Sequence, residues 1–325
     1  MSRVLVTGAS GFLGRALLSS MAVTHHTLIA AFRKKEPAIN HNFQTVLVGD
    51  LSKSTDWSSA LNGVDVIIHT AARVHIMNDI AKDSLAMYRK VNFEGTMALA
   101  NQAIIAGVKR FIFISSIKVN GEETSIDKPF KPDNISQPVD PYGISKAETE
   151  QALLELAEIN DFEVVIIRPV LVYGPGVKAN FLNMMSWLNR GIPLPFGSVK
   201  NKRSFLALEN LVSFIVHCVN YKKTPKAANQ VFLVSDGEDI STTELLKKTA
   251  KALGKRAWLF PVPVYLMKMA AKIVGKVDMA NRLFGSLQVD SSKTSELLGW
   301  YPVITMDEQL KKTADAFLEA ERFKK

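Results

Sequence analysis

The stretch Arg3-Val4-Leu5-Val6-Thr7-Gly8-Ala9-Ser10-Gly11-Phe12-Leu13-Gly14 decides the fold of this chain. Its first five residues form a short apolar run, which predicts a buried strand. Three glycines follow with the spacing G-x-x-G-x-x-G, and Arg15-Ala16-Leu17-Leu18 then opens a helix with its apolar residues inward. A strand, a glycine turn and a helix in this order predict the first unit of a dinucleotide-binding α/β fold.

The three glycines of this turn have separate physical tasks. Gly8 permits a tight turn, Gly11 lets the backbone approach a pyrophosphate at the helix N-terminus, and Gly14 lets the helix pack closely on the strand. A flexible loop is the alternative, but the position between a strand and a helix disfavours it. The predicted cofactor contacts in the turn are Gly8, Ser10, Gly11, Phe12, Leu13 and Gly14.

The second predicted strand, Thr27–Phe32, ends at the basic run Arg33-Lys34-Lys35. Proteins that bind NAD usually carry an Asp or Glu near this place, where it binds the ribose 2′-hydroxyl. The first acid here is Glu36, so we expect NADP(H) to be preferred, with Arg33 on the 2′-phosphate, while NAD(H) stays possible. A solvated charge run that closes a strand is the alternative.

Short apolar runs alternate with helical patterns along much of the remaining chain. Further strands are predicted at 45–51, 64–69, 110–114, 163–168 and 230–234. Continuous apolar strands between helices predict a Rossmann-type, doubly wound parallel sheet that is covered on both faces. Such sheets bind ligands at the carboxyl ends of their strands, where Asp50 is placed to meet an adenine edge.

Tyr142 and Lys146 are four residues apart, so they share one face of a helix. A cation within ~4–6 Å can lower the pKa of a tyrosine, ordinarily near ~10, by about one to three units. Such a phenol can give or take a proton on an alcohol or ketone near neutral pH. The same spacing arises by chance at ordinary helix starts, so this hypothesis depends on the cofactor turn.

Several motifs resemble those of the extended short-chain dehydrogenase/reductase family, the NAD-dependent epimerases and dehydratases, along essentially the whole chain. The matching stretches are Thr7-Gly8-Ala9-Ser10-Gly11-Phe12-Leu13-Gly14, Gly49-Asp50-Leu51, His69-Thr70-Ala71-Ala72, Val91-Asn92-Phe93-Glu94-Gly95-Thr96, Phe113-Ile114-Ser115-Ser116, Pro141-Tyr142-Gly143-Ile144-Ser145-Lys146, Arg168-Pro169 and Tyr173-Gly174-Pro175.

The resemblance implies roles for particular residues. Ser116 would hydrogen-bond the reacting oxygen, Tyr142 would be the general acid and base, and Lys146 would hold the nicotinamide ribose and lower the pKa of the tyrosine. Further implied cofactor contacts are Leu51, Ala71, Ala72 and Pro169. No metal site is expected.

The resemblance also implies a UDP-sugar substrate, bound by the second half of the chain. The implied substrate residues are Lys118, Asn180, Arg203 and Arg282. Arg203 is expected on the diphosphate because its planar fork suits bidentate contact. For Asn180, capping of a helix is an alternative that does not exclude substrate contact.

We therefore expect two interleaved domains. Residues 1–173 and 206–235 would form the dinucleotide-binding domain, and 174–205 with 236–325 would form a smaller α/β domain that binds the nucleotide sugar. In the second domain, Ser241 and Glu244 have the spacing of a capping box, which predicts a helix start.

The residues after Ser116 narrow the reaction. In the family that this chain resembles, the 4,6-dehydratases carry an acidic pair where this chain has Ile117-Lys118. Dehydration would therefore lack its acid and base here. The resemblance leaves transfer of a hydride and a proton at one carbinol carbon. The preferred reaction is reduction of a UDP-4-keto-6-deoxy-N-acetylhexosamine to UDP-N-acetylquinovosamine for surface polysaccharide, because an NADP(H) preference favours a reductase. A UDP-glucose or UDP-N-acetylglucosamine 4-epimerase is the alternative, and a non-catalytic NADP-sensing regulator is a minor one.

Composition agrees with a cytoplasmic enzyme. The 325 residues are 47% hydrophobic and include one cysteine, which disfavours a disulfide framework. No apolar run reaches the ~20 residues of a membrane span. The net charge of +9 suits anionic ligands. Nucleic acid is the rival explanation, and no recognition motif supports it.

The resemblance implies a homodimer through the helices near 90–105 and 145–160.

One basic stretch, 255–282, carries six cations against the single acid Asp278. Tyr265-Leu266, Met269-Ala270 and Ile273-Val274 form an apolar stripe at helical spacing within it. We expect this helix to pack on the substrate domain with its lysines Lys268, Lys272 and Lys276 in water. Weak adsorption to an anionic membrane surface is the alternative.

Overall fold

A computed structural model describes residues 1–34, 43–74, 83–275 and 277–323. Its strands are β1 (Arg3–Thr7), β2 (Thr27–Phe32), β3 (Gln44–Leu47), β4 (Val66–His69), β5 (Arg110–Ile114), β6 (Glu163–Pro169), β7 (Leu171–Tyr173), β8 (Arg203–Ala207), β9 (Gln230–Val234) and β10 (Asp239–Ile240). Seven of them form one sheet in the order β3-β2-β1-β4-β5-β6-β9, and every neighbouring pair in it is parallel. The predicted doubly wound parallel sheet is confirmed.

Helices cover both faces of this sheet. They are α1 (Phe12–Met21), α2 (Ser58–Leu61), α3 (Ser84–Tyr88), α4 (Gly95–Ile105), α5 (Pro141–Ile159), α6 (Ala179–Asn189), α7 (Leu208–Val219), α8 (Thr242–Ala252), α9 (Val264–Ile273), α10 (Val277–Phe284), α11 (Ser292–Leu298) and α12 (Met306–Arg322). A π-helical turn, Arg89–Glu94, joins α3 to α4, and short 3-10 turns lie at Ile117–Val119 and Pro225–Ala227.

Burial on both faces follows from the alternation of side chains along each strand. In β1, Val4 and Val6 pack in the cluster that includes α1 and α7, whereas Leu5 packs in the opposite cluster with residues of α2 and α4. A strand that feeds two cores must be apolar at every position, which is why its sequence shows a continuous run.

The edge strand β3 is shorter than the predicted 45–51. Its only sheet neighbour is β2, and their pairing ends where Phe32 faces Leu47. Asp50 and Leu51 therefore lie beyond the strand, in the loop at the carboxyl edge of the sheet.

A second sheet of three strands has the order β10-β8-β7. A third core packs against it, and its buried residues include Tyr173, Phe205, Ile240 and Leu310. β9 returns to the large sheet between β8 and β10 in the chain, so the two sheets interleave in sequence. The exact domain division stays a prediction. The capping box at Ser241 and Glu244 is present at the start of α8.

The expectation for the basic helix is wrong in one respect. α9 forms, and Lys268 and Lys272 are exposed, but the apolar side chains of Tyr265, Leu266 and Met269 are exposed as well. Lys276 lies outside the described residues. In the described part of the chain, no helix is long and apolar enough to cross a membrane.

Candidate active site

The glycine turn between β1 and α1 leaves room for a phosphate. Gly8 has φ +66°, and a Cβ there would lie 2.6 Å from Thr70 Oγ1 and 2.7 Å from the Ala71 amide nitrogen. A Cβ on Gly14 would lie 2.2 Å from the Gly8 carbonyl oxygen. Gly11 occupies the N-cap position of α1 and provides no side-chain cap. The first amides of α1 therefore face the sheet edge, where a pyrophosphate fits.

The other predicted cofactor residues lie at the same edge, because parallel strands end on one side of the sheet. They lie at the end of a strand or within four residues after it: Arg33, Asp50, Leu51, Ala71, Ala72 and Pro169. Arg33 Nε lies 3.7 Å from Asp50 Oδ1, and 69% and 85% of the two side chains are exposed. An ion pair this exposed is worth about 0–1 kcal/mol, so a phosphate can displace it. Lys35 and Glu36 lie outside the described residues.

Ser116 and Tyr142 come together where β5 ends and α5 begins. Ser116 precedes the 3-10 turn Ile117–Val119, and its hydroxyl accepts from the Lys118 amide at 3.3 Å. The same hydroxyl lies near enough to the Tyr142 phenol to lower its pKa. Asp140 caps α5 by accepting from the Gly143 amide at 2.7 Å. A Cβ on Gly143 would lie only 2.9 Å from the Lys118 carbonyl oxygen, so glycine is what lets the helix approach the Ser116 loop.

Lys146 lies one turn further along α5 and is 2% exposed. Its Nζ donates to the Ile114 carbonyl oxygen at 2.8 Å and lies 4.3 Å from the centre of the Phe113 ring. Burial lowers the pKa of Lys146 to about 7, although the Glu150 carboxylate opposes this effect. The amine is thus only partly charged near neutral pH in the cofactor-free protein.

The expectation that Lys146 makes the phenol acidic is therefore wrong for the cofactor-free protein. Burial raises the pKa of Tyr142, the Asp140 carboxylate raises it further, and the hydrogen bond with Ser116 lowers it by less. The physical reason is desolvation, which disfavours both the phenolate and the ammonium that would stabilise it. Tyr142 is a proton donor in this state.

Sequence reasoning missed the groups that hold α5 in place. Glu150 accepts from Arg168 Nε through both carboxylate oxygens at 3.0 Å, and Arg168 Nη1 donates to Asn120 Oδ1 at 3.0 Å. Asn92, in the π-helical turn, donates to Ser145 Oγ at 3.1 Å. An asparagine inside a predicted helix is a weak signal for such a turn, and π-bulges are frequent at functional sites.

His69 ends β4 behind the catalytic side chains and is fully buried. Its ring nitrogens lie 2.8 Å from Thr7 Oγ1 and 3.0 Å from Thr96 Oγ1. Burial lowers the pKa of His69 to about 3, and Lys146 adds to the effect. His69 is therefore a neutral structural residue that ties β1 to α4.

Two predicted substrate residues, Arg203 and Arg282, lie near enough for their charges to interact. Arg203 begins β8 and donates through Nη1 to the Gly285 carbonyl oxygen at 2.9 Å. Burial lowers the pKa of Arg203, and the positive charge of Arg282 lowers it further. A diphosphate bound by both guanidinium groups would neutralise their repulsion, so the pair is a candidate diphosphate seat.

A chain of charges joins this pair to the catalytic helix. Lys118 Nζ contacts Asp140 Oδ2 and lies 3.1 Å from Glu122 Oε1, and Glu122 Oε1 lies 4.0 Å from Arg282 Nη2. Lys118 is thus engaged with two carboxylates, and Asp140 and Glu122 are members of the cleft that the sequence did not indicate. The aspartate before Pro141 was a readable helix-start signal.

Asn180, another predicted substrate residue, lies on α6. It is exposed and is the second residue of α6, whose N-cap position belongs to Lys178. The alternative role as a helix cap is therefore wrong. Within the described ranges, no group of three or more His, Cys, Asp or Glu side chains could hold a metal ion.

Comparisons with known proteins identify the family of this chain. The model of the epimerase family matches residues 4–233. A UDP-glucose 4-epimerase of Vibrio cholerae is 49% identical over 98% of this chain and 96% of its own. The N-acetyl-alpha-D-glucosaminyl-diphospho-ditrans,octacis-undecaprenol 4-epimerase of Escherichia coli O157:H7 is 30% identical over 84% of this chain and 81% of its own.

A solved structure extends the likeness to three dimensions. The UDP-N-acetylglucosamine 4-epimerase from Methanobrevibacter ruminantium M1, in complex with UDP-N-acetylmuramic acid, superposes with a TM-score of 0.79. The match covers 98% of this chain and 99% of that one at 20% identity, so it shows a common fold. Together with the predicted motifs, the family match shows that this chain belongs to the NAD dependent epimerase/dehydratase family.

Proposed function

We propose that this protein is a UDP-sugar 4-epimerase, which removes and returns hydride at C4 of a UDP-hexose or UDP-N-acetylhexosamine. The observation that carries the proposal is the line of charged contacts that joins α5 to the arginine pair, from Asp140 through Lys118 and Glu122 to Arg282. Ser116 and Tyr142 interact at the start of α5, and the charge of Arg282 lowers the pKa of Arg203. The relative at 49% identity, named a UDP-glucose 4-epimerase, ranks epimerisation ahead of the reduction favoured by the sequence alone.

The chain's own groups divide the proton chemistry among them. A bound nicotinamide would supply the hydride exchange. Tyr142 in its phenolate form takes the proton of the C4 hydroxyl when that carbon is oxidised, and the resulting phenol returns the proton to the same oxygen when the carbon is reduced. Ser116 donates a hydrogen bond to this oxygen. Lys146, once its amine is protonated, stabilises the Tyr142 phenolate.

The sugar must turn between the two hydride transfers, and the proposed diphosphate anchor allows this. Arg203 is fixed by the Gly285 carbonyl, so its remaining N–H groups have a set direction. Each charge-assisted hydrogen bond to a phosphate contributes about 1.5–3 kcal/mol. Binding through the diphosphate leaves the hexose ring free to present either face to the cofactor.

A second candidate is the NADPH-dependent 4-ketoreductase, which the end of β2 favours. Arg33 follows β2 directly, and both described residues there, Arg33 and Lys34, are basic and exposed. A cationic pair suits the 2′-phosphate of NADP(H). Cells keep that cofactor reduced, which drives one-way reduction of a UDP-4-keto sugar.

Two incubations separate these candidates. In the first, UDP-glucose or UDP-N-acetylglucosamine with a trace of oxidised cofactor should yield the 4-epimer, detected by proton NMR, with no net change in reduced nicotinamide. In the second, a UDP-4-keto-6-deoxy-N-acetylhexosamine with NADPH should consume NADPH only if the protein is the reductase. Epimer formation or NADPH consumption that persists in Tyr142→Phe would contradict the chemistry assigned to Tyr142.

We also propose the NADP(H) preference itself. Because Arg33 is 69% exposed, we place its contribution at the low end, about tenfold in affinity. Fluorescence titration with NADPH and NADH measures it, and NADH binding in the Arg33→Ala variant is the internal control. An equal loss of affinity for NADPH and NADH in that variant would contradict the preference. Tighter binding of NADH than of NADPH by the parent would also contradict it.

The homodimer stays a proposal that rests on the family resemblance. α4 and α5, the helices that correspond to it, lie side by side on one face of the large sheet. Light scattering coupled to size exclusion measures the mass, and a monomer at micromolar concentration would contradict the proposal.

A further inference from the structure

α9 attaches to the protein by one narrow face. Val264, Met267 and Ala271 are its half-buried residues, at the spacing i, i+3 and i+7 of a single helix face. α9 packs mainly against α10, and none of its ten residues is fully buried. A surface helix of a globular domain normally buries its widest apolar stripe, so α9 is unusual.

The apolar stripe of α9 points away from the protein. Tyr265, Leu266, Met269 and Ile273 are 65%, 44%, 59% and 83% exposed. At roughly 100° per residue, these four side chains cover an arc of about 100° whose centre lies opposite the half-buried face. The exposed stripe is therefore a continuous outer surface.

The segment before α9 also exposes large apolar side chains. Trp258 and Phe260 are 59% and 46% exposed, and they are two residues apart on a stretch that pairs with Leu194. Residues two apart on an extended chain share a side. Arg256 lies 5.5 Å from the centre of the Trp258 ring. Aromatic rings beside a cation are typical of groups that sit at a membrane interface.

The charge of the surface has one sign. Between Lys255 and Gly275 the sequence contains four cations and no Asp or Glu. Lys268 and Lys272 are exposed on the flank of the apolar stripe, and Lys255 and Arg256 are exposed just before Trp258. A partner must therefore be apolar at its centre and negatively charged around it.

We propose that α9, with Trp258 and Phe260, docks the protein on an anionic phospholipid membrane. The inference does not depend on the proposed sugar substrate. A second copy of the chain would set four cations against four cations on an apolar seam, and this repulsion disfavours self-association. An anionic lipid surface supplies both the negative headgroups and the apolar layer beneath them.

The helix would lie along the membrane and would not cross it. Ten residues of helix are about 15 Å long, roughly half of the bilayer hydrocarbon thickness. α10, which packs on α9, carries Arg282 of the proposed diphosphate seat. Docking through α9 would thus bring the proposed diphosphate seat close to the lipid surface.

Flotation with vesicles tests the proposal on the full-length protein. The vesicles are pure phosphatidylcholine or phosphatidylcholine with about one third phosphatidylglycerol, each at low and high salt. We expect binding to the anionic vesicles at low salt and at least tenfold weaker binding to the neutral ones. Lys268→Gln/Lys272→Gln should weaken binding roughly 25-fold, about fivefold for each lysine.

Matched variants distinguish docking through α9 from nonspecific adsorption of the protein to vesicles. Met269→Asn/Ile273→Asn removes apolar side chains from the outer stripe and should abolish flotation while the secondary structure stays unchanged. Val23→Asn/Val303→Asn changes exposed apolar residues elsewhere, and Lys222→Gln/Lys223→Gln removes the same charge elsewhere. Both controls should float like the parent.

Three results would overturn the proposal. One is absence of flotation with anionic vesicles at low salt. Another is equal weakening of binding by the control pairs and the α9 pairs, which would indicate only nonspecific attraction of a basic protein. The third is conversion of a dimer to a monomer by Met269→Asn/Ile273→Asn in solution, which would assign the stripe to a second copy of the chain.

Discussion

Replacing Lys146 by methionine should stabilise the cofactor-free protein near neutral pH while it removes activity. The side chain is 2% exposed, and burial lowers its pKa from 10.5 to about 7. Because a tenfold change in proton affinity is worth about 1.4 kcal/mol, charging this amine in the fold costs about 5 kcal/mol more than in the unfolded chain. Methionine fills similar space without a charge.

The sign and the pH window follow from the two pKa values. The folded pKa lies below the unfolded one, so the unfolded chain binds more protons between about pH 7 and pH 10.5. The stability of the parent therefore rises with pH in this window, and the penalty is complete below about pH 7. Methionine also leaves the Ile114 carbonyl without its donor, which costs about 1–3 kcal/mol. The net gain near pH 7 is about 1–3 kcal/mol.

Urea unfolding of parent and Lys146→Met, both freed of cofactor, measures this difference. The stability advantage of the variant should shrink by about 2–3 kcal/mol between about pH 7 and pH 9. Lys251→Met, which changes an exposed lysine of α8, is the matched control and should show a flat difference. A pH-independent difference for Lys146→Met would refute the account of a desolvated amine.

Three further predictions concern the cleft. Tyr142→Phe should reduce turnover by about 10²–10⁴ with cofactor affinity nearly unchanged in a fluorescence titration, and near-normal turnover would contradict the assignment of the acid and base. Arg203→Gln should weaken UDP binding by about 10- to 100-fold in calorimetry, because one guanidinium contact is lost, and unchanged affinity would remove Arg203 from the diphosphate seat. Gly8→Ala should destabilise the fold by roughly 2–5 kcal/mol in urea unfolding, from the strain at φ +66° and the approach to Thr70 Oγ1 at 2.6 Å. A stable Gly8→Ala variant that binds cofactor normally would show that the turn relaxes.

The glycine turn could be predicted from the sequence, whereas the contacts of the arginine pair could not. The glycine turn was readable because its requirements are local: a positive φ, a close backbone approach and a helix start all lie within seven residues of chain. The partnership of Arg203 with Arg282 was only implied by family resemblance, since 79 positions separate them and no local pattern links them. The pairing of Lys118 with Asp140, 22 positions away, was not foreseen for the same reason.

Burial explains where the sequence misled. The spacing of Tyr142 and Lys146 correctly placed both on one helix, but spacing carries no information about desolvation. In the fold, the amine is buried against Phe113 and Ile114, and its charge is weakened before it can act on the phenol. On α9, the periodicity of the apolar stripe predicted a helix, and it could not say on which side the rest of the protein would be.

The sequence by itself determined the parallel sheet, its glycine turn and the family, because these depend on local backbone conformation and on runs of apolar residues that any reader of the chain can see. Only the tertiary structure decided the proton affinities in the cleft, the facing guanidiniums and the outward apolar face of α9. Those properties depend on which distant segments exclude water from a group and which leave it exposed, and solvent exclusion is settled by packing in three dimensions.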